Sequence, residues 1–182
     1  MEKGLSSFGM HDSEQVFKHL KINQGNTFLD LGCGAGDYSL YAANQVGKSG
    51  HVYAFDLCDE ILENLKKEAT NAGINSIHAM TADIFAPLAI KSKSVDVCML
   101  ATVLHSENVL ENAHILFNEI KRVLKPKGRL SIIECKKEEM PFGPPLKFRV
   151  SPDDLEKALL KYGFKKMDYL DLGYNYMVLF EC

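Results

Sequence analysis

Three carboxylates in this 182-residue sequence stand where predicted β-strands end, which is where an α/β protein can hold a ligand. Asp30 precedes a glycine-rich turn, Asp56 closes the apolar run 51–55, and Asp83 closes the run 76–82. Carboxylates accept hydrogen bonds from sugar hydroxyls and attract cations. Acids in place of bases around the turn therefore indicate a nucleoside ligand that carries a positive charge and no phosphates.

The turn after Asp30 has glycines at three alternate positions, Gly32, Gly34 and Gly36. The β-favouring run 27–31 leads into the turn, and apolar residues then recur at helical spacing. A strand, turn and helix in this order leave free N–H groups at the start of the helix, and glycine lets a ligand approach the main chain. The turn is predicted to hold the ligand against main-chain atoms.

Two common nucleotide sites do not match the turn. A dinucleotide-binding loop, G-x-G-x-x-G, would place its third glycine at position 37, which is Asp37, and no Gly-Lys-Ser/Thr sequence of a phosphate-binding loop follows. A nucleotide-dependent oxidoreductase is therefore kept as an alternative function, disfavoured by Asp37.

Four motifs together resemble a known enzyme family. In order and spacing, FLDLGCGAG, VYAFDLCDEIL, TADIFAPLAIKSKSVDVCMLATVLHS and RVLKPKGRLSIIE are similar to the class I S-adenosylmethionine-dependent methyltransferases. The nearest likeness is to the small-molecule branch that includes the ubiquinone and menaquinone biosynthesis methyltransferases, and it runs from Val16 onward. The resemblance implies S-adenosylmethionine as cofactor and in-line methyl transfer to a small-molecule acceptor. A non-catalytic cofactor-binding subunit with the same fold is the second alternative.

The resemblance also implies cofactor contacts. Asp30 and main-chain oxygens near Gly32 and Ala101 would hold the methionine end, Asp56 would hold the ribose, and Asp83 would bind the adenine amino group unless it only caps a turn. Cys33 is read as a small filler under the turn. The full predicted cofactor set is Asp30, Gly32, Cys33, Gly34, Gly36, Asp56, Leu57, Asp83, Ile84 and Ala101.

Three residues further along are candidates for catalysis or substrate binding. His105, at the tip of the fourth predicted strand, is the candidate general base, and its alternative is a loop cap. Glu134 ends the fifth strand and is predicted either to contact substrate or to pair with Lys136. Arg149 follows a proline-rich loop, where it either holds an anionic group of the substrate or anchors the loop.

Composition narrows the class of protein further. The net charge of −3 and the isoelectric point near 6.1 give no general attraction to nucleic acid. Five cysteines without metal-ligand spacing predict reduced thiols, no metal site and a cytoplasmic protein. No apolar run approaches the roughly 18 residues of a membrane span.

The order of elements predicts a Rossmann-like, doubly wound α/β fold. We expect one domain over residues 1–182, with residues 1–24 as an N-terminal arm and cover helix, and a mostly parallel seven-stranded sheet with helices on both faces. The runs 164–172 and 174–181, joined at Gly173, predict a C-terminal antiparallel hairpin. The methyltransferase resemblance includes such a hairpin, which dinucleotide dehydrogenases lack.

The segments that would cover the site are short. Little chain precedes the first strand, and the loop after the fifth strand is brief. The cofactor pocket would then be thinly covered, so either a bulky acceptor or another chain is expected to complete it. A homodimer or a partner chain is the favoured prediction.

Overall fold

A computed structural model of the chain describes residues 6–105 and 112–182. Its centre is a seven-stranded sheet in the order β3-β2-β1-β4-β5-β7-β6. The strands are β1 Thr27–Leu31, β2 His51–Asp56, β3 Ile77–Thr81, β4 Val95–Ala101, β5 Leu124–Cys135, β6 Lys165–Leu172 and β7 Asn175–Glu181. The first five strands pair in parallel, which brings their carboxyl ends to one edge of the sheet.

Helices cover both faces of the sheet, as predicted. They are α1 Ser13–Leu20, α2 Asp37–Val46, α3 Asp59–Asn71, α4 Ala113–Val123 and α5 Pro152–Leu160, with 3₁₀ turns at Ser7–Met10 and Leu146–Phe148. Buried residues of α1 and α2 share one apolar cluster with the sheet, and those of α4 and α5 share another. The segment 108–124 is predicted from its sequence to be a helix, and part of it lies outside the described residues.

The central strand β4 is buried on both faces. Val97 and Met99 point into the cluster formed with α1 and α2, whereas Cys98 and Leu100 point into the cluster formed with α4 and α5. Burial on both faces removes the polar positions of the usual strand alternation, which explains why residues 97–101 form a continuous apolar run.

The C-terminal hairpin is confirmed. Strand β7 pairs antiparallel with β5, and β6 pairs antiparallel with β7. Gly173 turns the chain with φ of 79°, a conformation in which glycine has no steric penalty. The hairpin supports the methyltransferase fold over a dinucleotide dehydrogenase.

The β-favouring run 129–134 predicts the fifth strand, but strand β5 is longer than this run. Leu124 pairs with Val95 and Arg129 with Val97, so β5 advances five residues while β4 advances two. The extra residues form a bulge in which Lys127 has φ of 64°. The segment 125–128, Lys-Pro-Lys-Gly, has the composition of a turn, and its place inside the strand follows from the pairing of β5 with β4.

The connection between β3 and β4 is held by two side chains of α4. The backbone N–H of Leu88 donates a 2.7 Å hydrogen bond to Glu119, and the guanidinium of Arg122 donates to the carbonyls of Leu88 and Ile90. Arg122 also pairs with Glu119 at 2.5 Å. These contacts fix Leu88 and Ile90 in the core although residues 82–94 contain no helix or strand.

Candidate active site

The glycine turn lies at the carboxyl end of β1, against β2. Its first two N–H groups, from Gly32 and Cys33, donate to the carbonyl of Phe55 at 2.8 and 2.9 Å. The N–H of Gly36 then donates 2.9 Å to the carbonyl of Cys33, and Gly36 is the N-cap of α2. The turn is therefore held by main-chain bonds, with the N-terminus of a helix at its end.

The three glycines have different structural roles. All three have positive φ values, of 71°, 52° and 83° at Gly32, Gly34 and Gly36. A Cβ on Gly32 would lie 2.7 Å from Val103, and one on Gly36 would lie 2.4 Å from Leu65. A Cβ on Gly34 would meet no atom within 4 Å. Gly34 is therefore the open point of the turn, where a ligand can approach the main chain.

Asp56 lies directly against that open point. Its Oδ2 accepts a 2.9 Å hydrogen bond from the N–H of Gly34, and its Oδ1 accepts one of 3.1 Å from the N–H of Cys58. The next residue, Leu57, is 70% exposed although its side chain is large and apolar. The structure thus places a carboxylate and an uncovered apolar surface side by side at the end of β2.

Asp30 is buried near the carboxyl end of β1. It is 1% exposed, and Ser39 in α2 donates a 2.6 Å hydrogen bond to its Oδ2. Burial, with smaller contributions from Asp56 and Asp37, raises the pKa of Asp30 to about 7, and the Ser39 hydrogen bond opposes this rise. Sequence reasoning missed Ser39, although a serine in the first turn of the helix was visible.

Cys33 lies under the turn. It is buried among Ala54, Leu62, Leu65 and Ala79. Burial raises the pKa of its thiol, and the nearby carboxylates of Asp30 and Asp56 raise it further, so the thiol stays protonated at neutral pH. This placement agrees with the prediction that Cys33 is a small filler and gives it no nucleophilic character.

Asp83 and Ile84 follow the end of β3. Asp83 is exposed, and its Oδ1 accepts a 2.9 Å hydrogen bond from the N–H of Phe85, which is the turn-capping contact named as its alternative. Ile84 packs against the core cluster that contains α4. Asp83 thus stays exposed at the carboxyl edge of the sheet.

The end of β4 has an unusual backbone. Ala101 is 9% exposed, and Thr102 follows it with φ of 57°, a conformation that costs a β-branched residue energy. Two hydrogen bonds hold Thr102 there: its N–H donates 2.8 Å to the carbonyl of Ile133, and its hydroxyl donates 2.7 Å to the carbonyl of Ala101. Nothing in the sequence indicated this strained residue.

The structure brings His105 and Glu134 together. Oε2 of Glu134 lies 2.9 Å from Nδ1 of His105, and Oε1 accepts a 2.6 Å hydrogen bond from the N–H of Leu104. The Glu134 side chain is 2% exposed and that of His105 is 24% exposed. The predicted alternative of a pair between Glu134 and Lys136 is wrong, because Lys136 pairs with Asp171 at 2.7 Å.

Arg149 occupies the loop-anchoring position of its two predicted alternatives. It is 5% exposed, and its guanidinium donates hydrogen bonds of 2.7 to 3.3 Å to four carbonyls. Those carbonyls belong to Pro144, Lys136, Glu138 and Phe142. With its donors turned towards the loop, the residue is not arranged to hold an anionic group of a substrate, which corrects its place in the predicted substrate set.

The N-terminal arm packs onto the start of α2. The ring of Phe8 meets the ring of Tyr38 edge-on at 5.0 Å. The Tyr38 hydroxyl lies 3.2 Å from Oγ of Ser7 and 2.9 Å from Nε2 of His11. Burial lowers the pKa of His11 and raises that of Tyr38, so both groups are neutral at pH 7. This contact was not predicted, since the arm has no periodicity.

A cavity in the described part of the chain lies away from these residues. It has a volume of about 530 Å³ and lies between the C-terminal ends of α2 and α3, at the edge where the parallel strands begin. Its walls carry none of the predicted site residues. The carboxylates, the glycine turn and the pair of Glu134 and His105 therefore place the candidate site at the carboxyl edge, away from this cavity.

Comparison with known proteins identifies the family of the chain. Residues 22–173 match the family model described as a methyltransferase domain. The chain belongs to this methyltransferase family. The matched segment contains all of the predicted cofactor residues.

This methyltransferase chain is similar in sequence to methyltransferases of quinone biosynthesis. It is 30% identical to the demethylmenaquinone methyltransferase of Lactobacillus johnsonii over 70% of this chain and 51% of that protein. It is 27% identical to the ubiquinone/menaquinone biosynthesis C-methyltransferase of Hydrogenovibrio crunogenus over 96% of this chain and 80% of that protein. The chain spans about half the length of the first of these relatives.

A solved structure shows the same fold. The S-adenosylmethionine-dependent methyltransferase of Aquifex aeolicus superposes with a TM-score of 0.85 and 28% sequence identity, covering 98% of this chain and 94% of that one. The fold of this chain is thus the class I S-adenosylmethionine-dependent methyltransferase fold, as the sequence motifs implied.

Proposed function

We propose that this chain binds S-adenosylmethionine across the carboxyl ends of β1, β2 and β4 and transfers its methyl group to a small acceptor. The observation that carries the proposal is the contact between Asp56 and the N–H of Gly34, at the one glycine of the turn that is open to a ligand. A ribose placed there meets carboxylate oxygens and main-chain N–H groups together.

The charges of the site suit this cofactor. Asp30 is a buried carboxyl whose pKa is raised to about 7, so a nearby cation would favour its ionised form. The sulfonium and ammonium groups of S-adenosylmethionine provide such charge. Leu57, exposed beside Asp56, offers apolar surface to the adenine, and Asp83 offers an acceptor for its amino group.

Bound S-adenosylmethionine would supply an activated methyl group on a positively charged sulfur. The protein then has to align the acceptor in line with the sulfur–methyl bond and exclude water, which lowers the barrier by several kcal/mol. Val103 and Leu104 follow the end of β4 and bring the chain to His105. In this proposal His105 takes a proton from the acceptor.

The acceptor is proposed to be a small quinol-type ring. The support is the naming of the relatives as demethylmenaquinone and ubiquinone/menaquinone methyltransferases. It is consistent with the exposed aromatic pair Phe142 and Tyr174, whose rings meet at 4.7 Å beside the carboxyl end of β5. The apolar ring of the acceptor would pack against these two aromatic side chains.

A second chain is proposed to cover this edge. Leu57, Phe142 and Tyr174 are 70%, 42% and 55% exposed, and all three lie where the parallel strands end. We propose a homodimer or a partner subunit over this surface and a cytoplasmic location. In the described part of the chain, no helix has the length and apolar character needed to cross a membrane.

Calorimetric titration tests the cofactor. S-adenosylhomocysteine is expected to bind, whereas NAD and NADP are not. Asp56→Asn should weaken binding by about 10- to 100-fold, because it removes one charged acceptor. Asp168→Asn, the same change on the outer strand β6, should leave the affinity within twofold. Tighter binding of NAD would instead support the oxidoreductase alternative.

An acceptor screen tests the reaction. Quinols, catechols, amines and peptides are incubated with S-adenosylmethionine labelled in its methyl group, and transfer of label is measured. Labelled quinol or catechol is the expected product. Cofactor binding without transfer to any acceptor would favour the non-catalytic subunit.

A further inference from the structure

Glu134 and His105 form a pair that crosses from β5 to the end of β4. The two strands are adjacent and parallel, with Ala101 paired to Ile133, so residues that follow them lie close together. Glu134 uses both oxygens: one accepts from the N–H of Leu104 at 2.6 Å, and the other lies 2.9 Å from Nδ1 of His105.

The two contacts fix the orientation of the imidazole ring. A backbone N–H can only donate, so Oε1 is an acceptor towards Leu104. A carboxylate oxygen facing Nδ1 of His105 accepts from it as well, which places the imidazole proton on Nδ1. Nε2 then carries the lone pair, on a side chain that is 24% exposed.

We propose that Glu134 is a positioning residue that keeps His105 in the Nδ1–H tautomer, so that Nε2 accepts a proton from the methyl acceptor. The inference rests on the proposed methyl transfer to a quinol-type acceptor and states how the proton of that acceptor is removed. A base at Nε2 suits an acceptor that must lose a proton for methyl transfer, such as an aromatic or enolic hydroxyl or a ring carbon activated by one.

The proposed step balances as a proton transfer and a displacement. The hydroxyl proton of the acceptor moves to Nε2, and the electron pair of the oxygen or the activated ring carbon forms the new bond to the methyl carbon. In carbon methylation the ring carbon then loses its own proton to restore the aromatic ring. The sulfur–methyl bond breaks with its electrons going to sulfur, which leaves a neutral thioether. Glu134 pairs with the imidazolium until its proton passes to water.

Glu134→Gln tests the positioning role, because it nearly preserves shape and changes the hydrogen-bond pattern. The N–H of Leu104 is buried and needs an acceptor, so the amide oxygen of the new side chain should face it. The amide NH₂ would then face Nδ1 and donate to it, which forces the proton onto Nε2. The variant is expected to hold His105 in the wrong tautomer for accepting a proton.

Glu119→Gln is the matched control. Glu119 also accepts from a backbone N–H, that of Leu88 at 2.7 Å, but it lies in α4 and holds the connection between β3 and β4. This variant should lose stability without affecting His105 chemistry. We expect its His105 tautomer and the pH profile of its activity to match those of the wild type.

The first readout needs no acceptor. Long-range ¹H–¹⁵N spectra of histidine-labelled protein at pH 8, assigned with His105→Gln, report which ring nitrogen is protonated. The wild type and Glu119→Gln should show Nδ1–H, and Glu134→Gln should show Nε2–H. A wild-type ring protonated at Nε2 overturns the positioning role, whatever the protein methylates.

The second readout uses a naphthohydroquinone, catechol, benzylamine and thiophenol with labelled S-adenosylmethionine. His105→Gln and Glu134→Gln should lower kcat for the two hydroxyl acceptors by about 10- to 1,000-fold and remove the acidic limb of their pH profile. Thiophenol, already ionised, should lose less than threefold. S-adenosylhomocysteine affinity should stay within twofold.

Two results would overturn the substrate class while leaving the cofactor proposal intact. One is turnover of benzylamine alone, unaffected by either variant. The other is S-adenosylhomocysteine binding without methylation of either hydroxyl acceptor. Failure to bind S-adenosylhomocysteine would overturn the proposed methyl transfer itself, and the tautomer measurement would still decide the role of Glu134.

Discussion

The hydroxyl of Ser39 donates a 2.6 Å hydrogen bond to Oδ2 of Asp30, and both residues are buried. The contact joins the first turn of α2 to β1 directly beneath the glycine turn. One neutral donor does not replace the water that the carboxyl group has lost, and the pKa of Asp30 is raised to about 7. The unliganded site therefore contains an acid that is only partly ionised at neutral pH.

This acid should make the stability of the protein depend on pH. The pKa of Asp30 is about 7 in the folded protein and 3.8 in the absence of burial, so the folded state holds the proton more tightly. Its contribution to stability is largest below pH 4 and is lost as the pH rises to about 7, a change of roughly 4 kcal/mol. Asp30→Asn cannot ionise and should be more stable than the wild type at pH 8. Urea unfolding at pH 5 and pH 8 measures this, and equal pH dependence in both proteins would contradict it.

The same group should make cofactor affinity depend on pH. Ionised Asp30 attracts the positive charge of S-adenosylmethionine, so wild-type affinity should rise about tenfold between pH 6 and pH 8. In Asp30→Asn the affinity should be weaker and change less than twofold over this range. Calorimetry at both pH values tests the prediction, with Asp168→Asn as the control that should retain the wild-type dependence.

Two glycines of the turn should respond differently to alanine. Gly36→Ala places a Cβ 2.4 Å from Leu65 at φ of 83°, so we expect a loss of about 2–4 kcal/mol in unfolding free energy. Gly34→Ala meets no neighbouring atom and should lose only about 1–2 kcal/mol, from its positive φ. Its added methyl group would stand on the ligand side and weaken S-adenosylhomocysteine binding more than tenfold.

Urea unfolding and calorimetry on the two alanine variants measure both quantities. Binding by Gly36→Ala is compared under conditions where the variant is folded. Should Gly34→Ala bind S-adenosylhomocysteine like the wild type, the open face of Gly34 would not be the cofactor surface.

Arg149 should matter for the loop and not for cofactor binding. The planar guanidinium of Arg149 donates to four carbonyls, whereas the single ammonium group of a lysine cannot reach all four. Arg149→Lys should therefore lose about 2–4 kcal/mol of stability. Limited proteolysis within residues 136–149 should become faster, and S-adenosylhomocysteine affinity should stay within twofold. Arg129→Lys, which removes a guanidinium contact to the carbonyl of Lys21, is the matched control and should not affect this loop.

Tyr38 should hold the N-terminal arm. Tyr38→Phe keeps the ring contact with Phe8 and removes the hydroxyl that contacts Ser7 and His11. We expect a loss of about 1–2 kcal/mol and faster amide hydrogen exchange over residues 6–11. Tyr41→Phe, whose ring also contacts Phe8, is the control. Unchanged exchange in Tyr38→Phe would mean that apolar packing alone holds the arm.

Local patterns in the sequence were sufficient to predict most of the elements. The runs 27–31 and 51–55 lie in strands β1 and β2, and Gly173 turns the C-terminal hairpin, because periodicity and backbone preference act within a few residues. Each of the three acids stands at the end of a predicted strand, so a parallel sheet was expected to bring them to one edge. Parallel strands align their carboxyl ends, so Asp30 and Asp56 meet the glycine turn.

Contacts between distant residues were decided by the tertiary structure alone. His105 pairs with Glu134 across 29 positions because β4 and β5 are neighbours, and Lys136 instead meets Asp171 across the hairpin. Arg149 turns towards loop carbonyls because those buried groups need donors. The sequence by itself determined which residue types stand at the ends of the strands. Which of them touch, and which nitrogen of His105 faces the carboxylate, depended on strand order and side-chain packing, since neither follows from local preference.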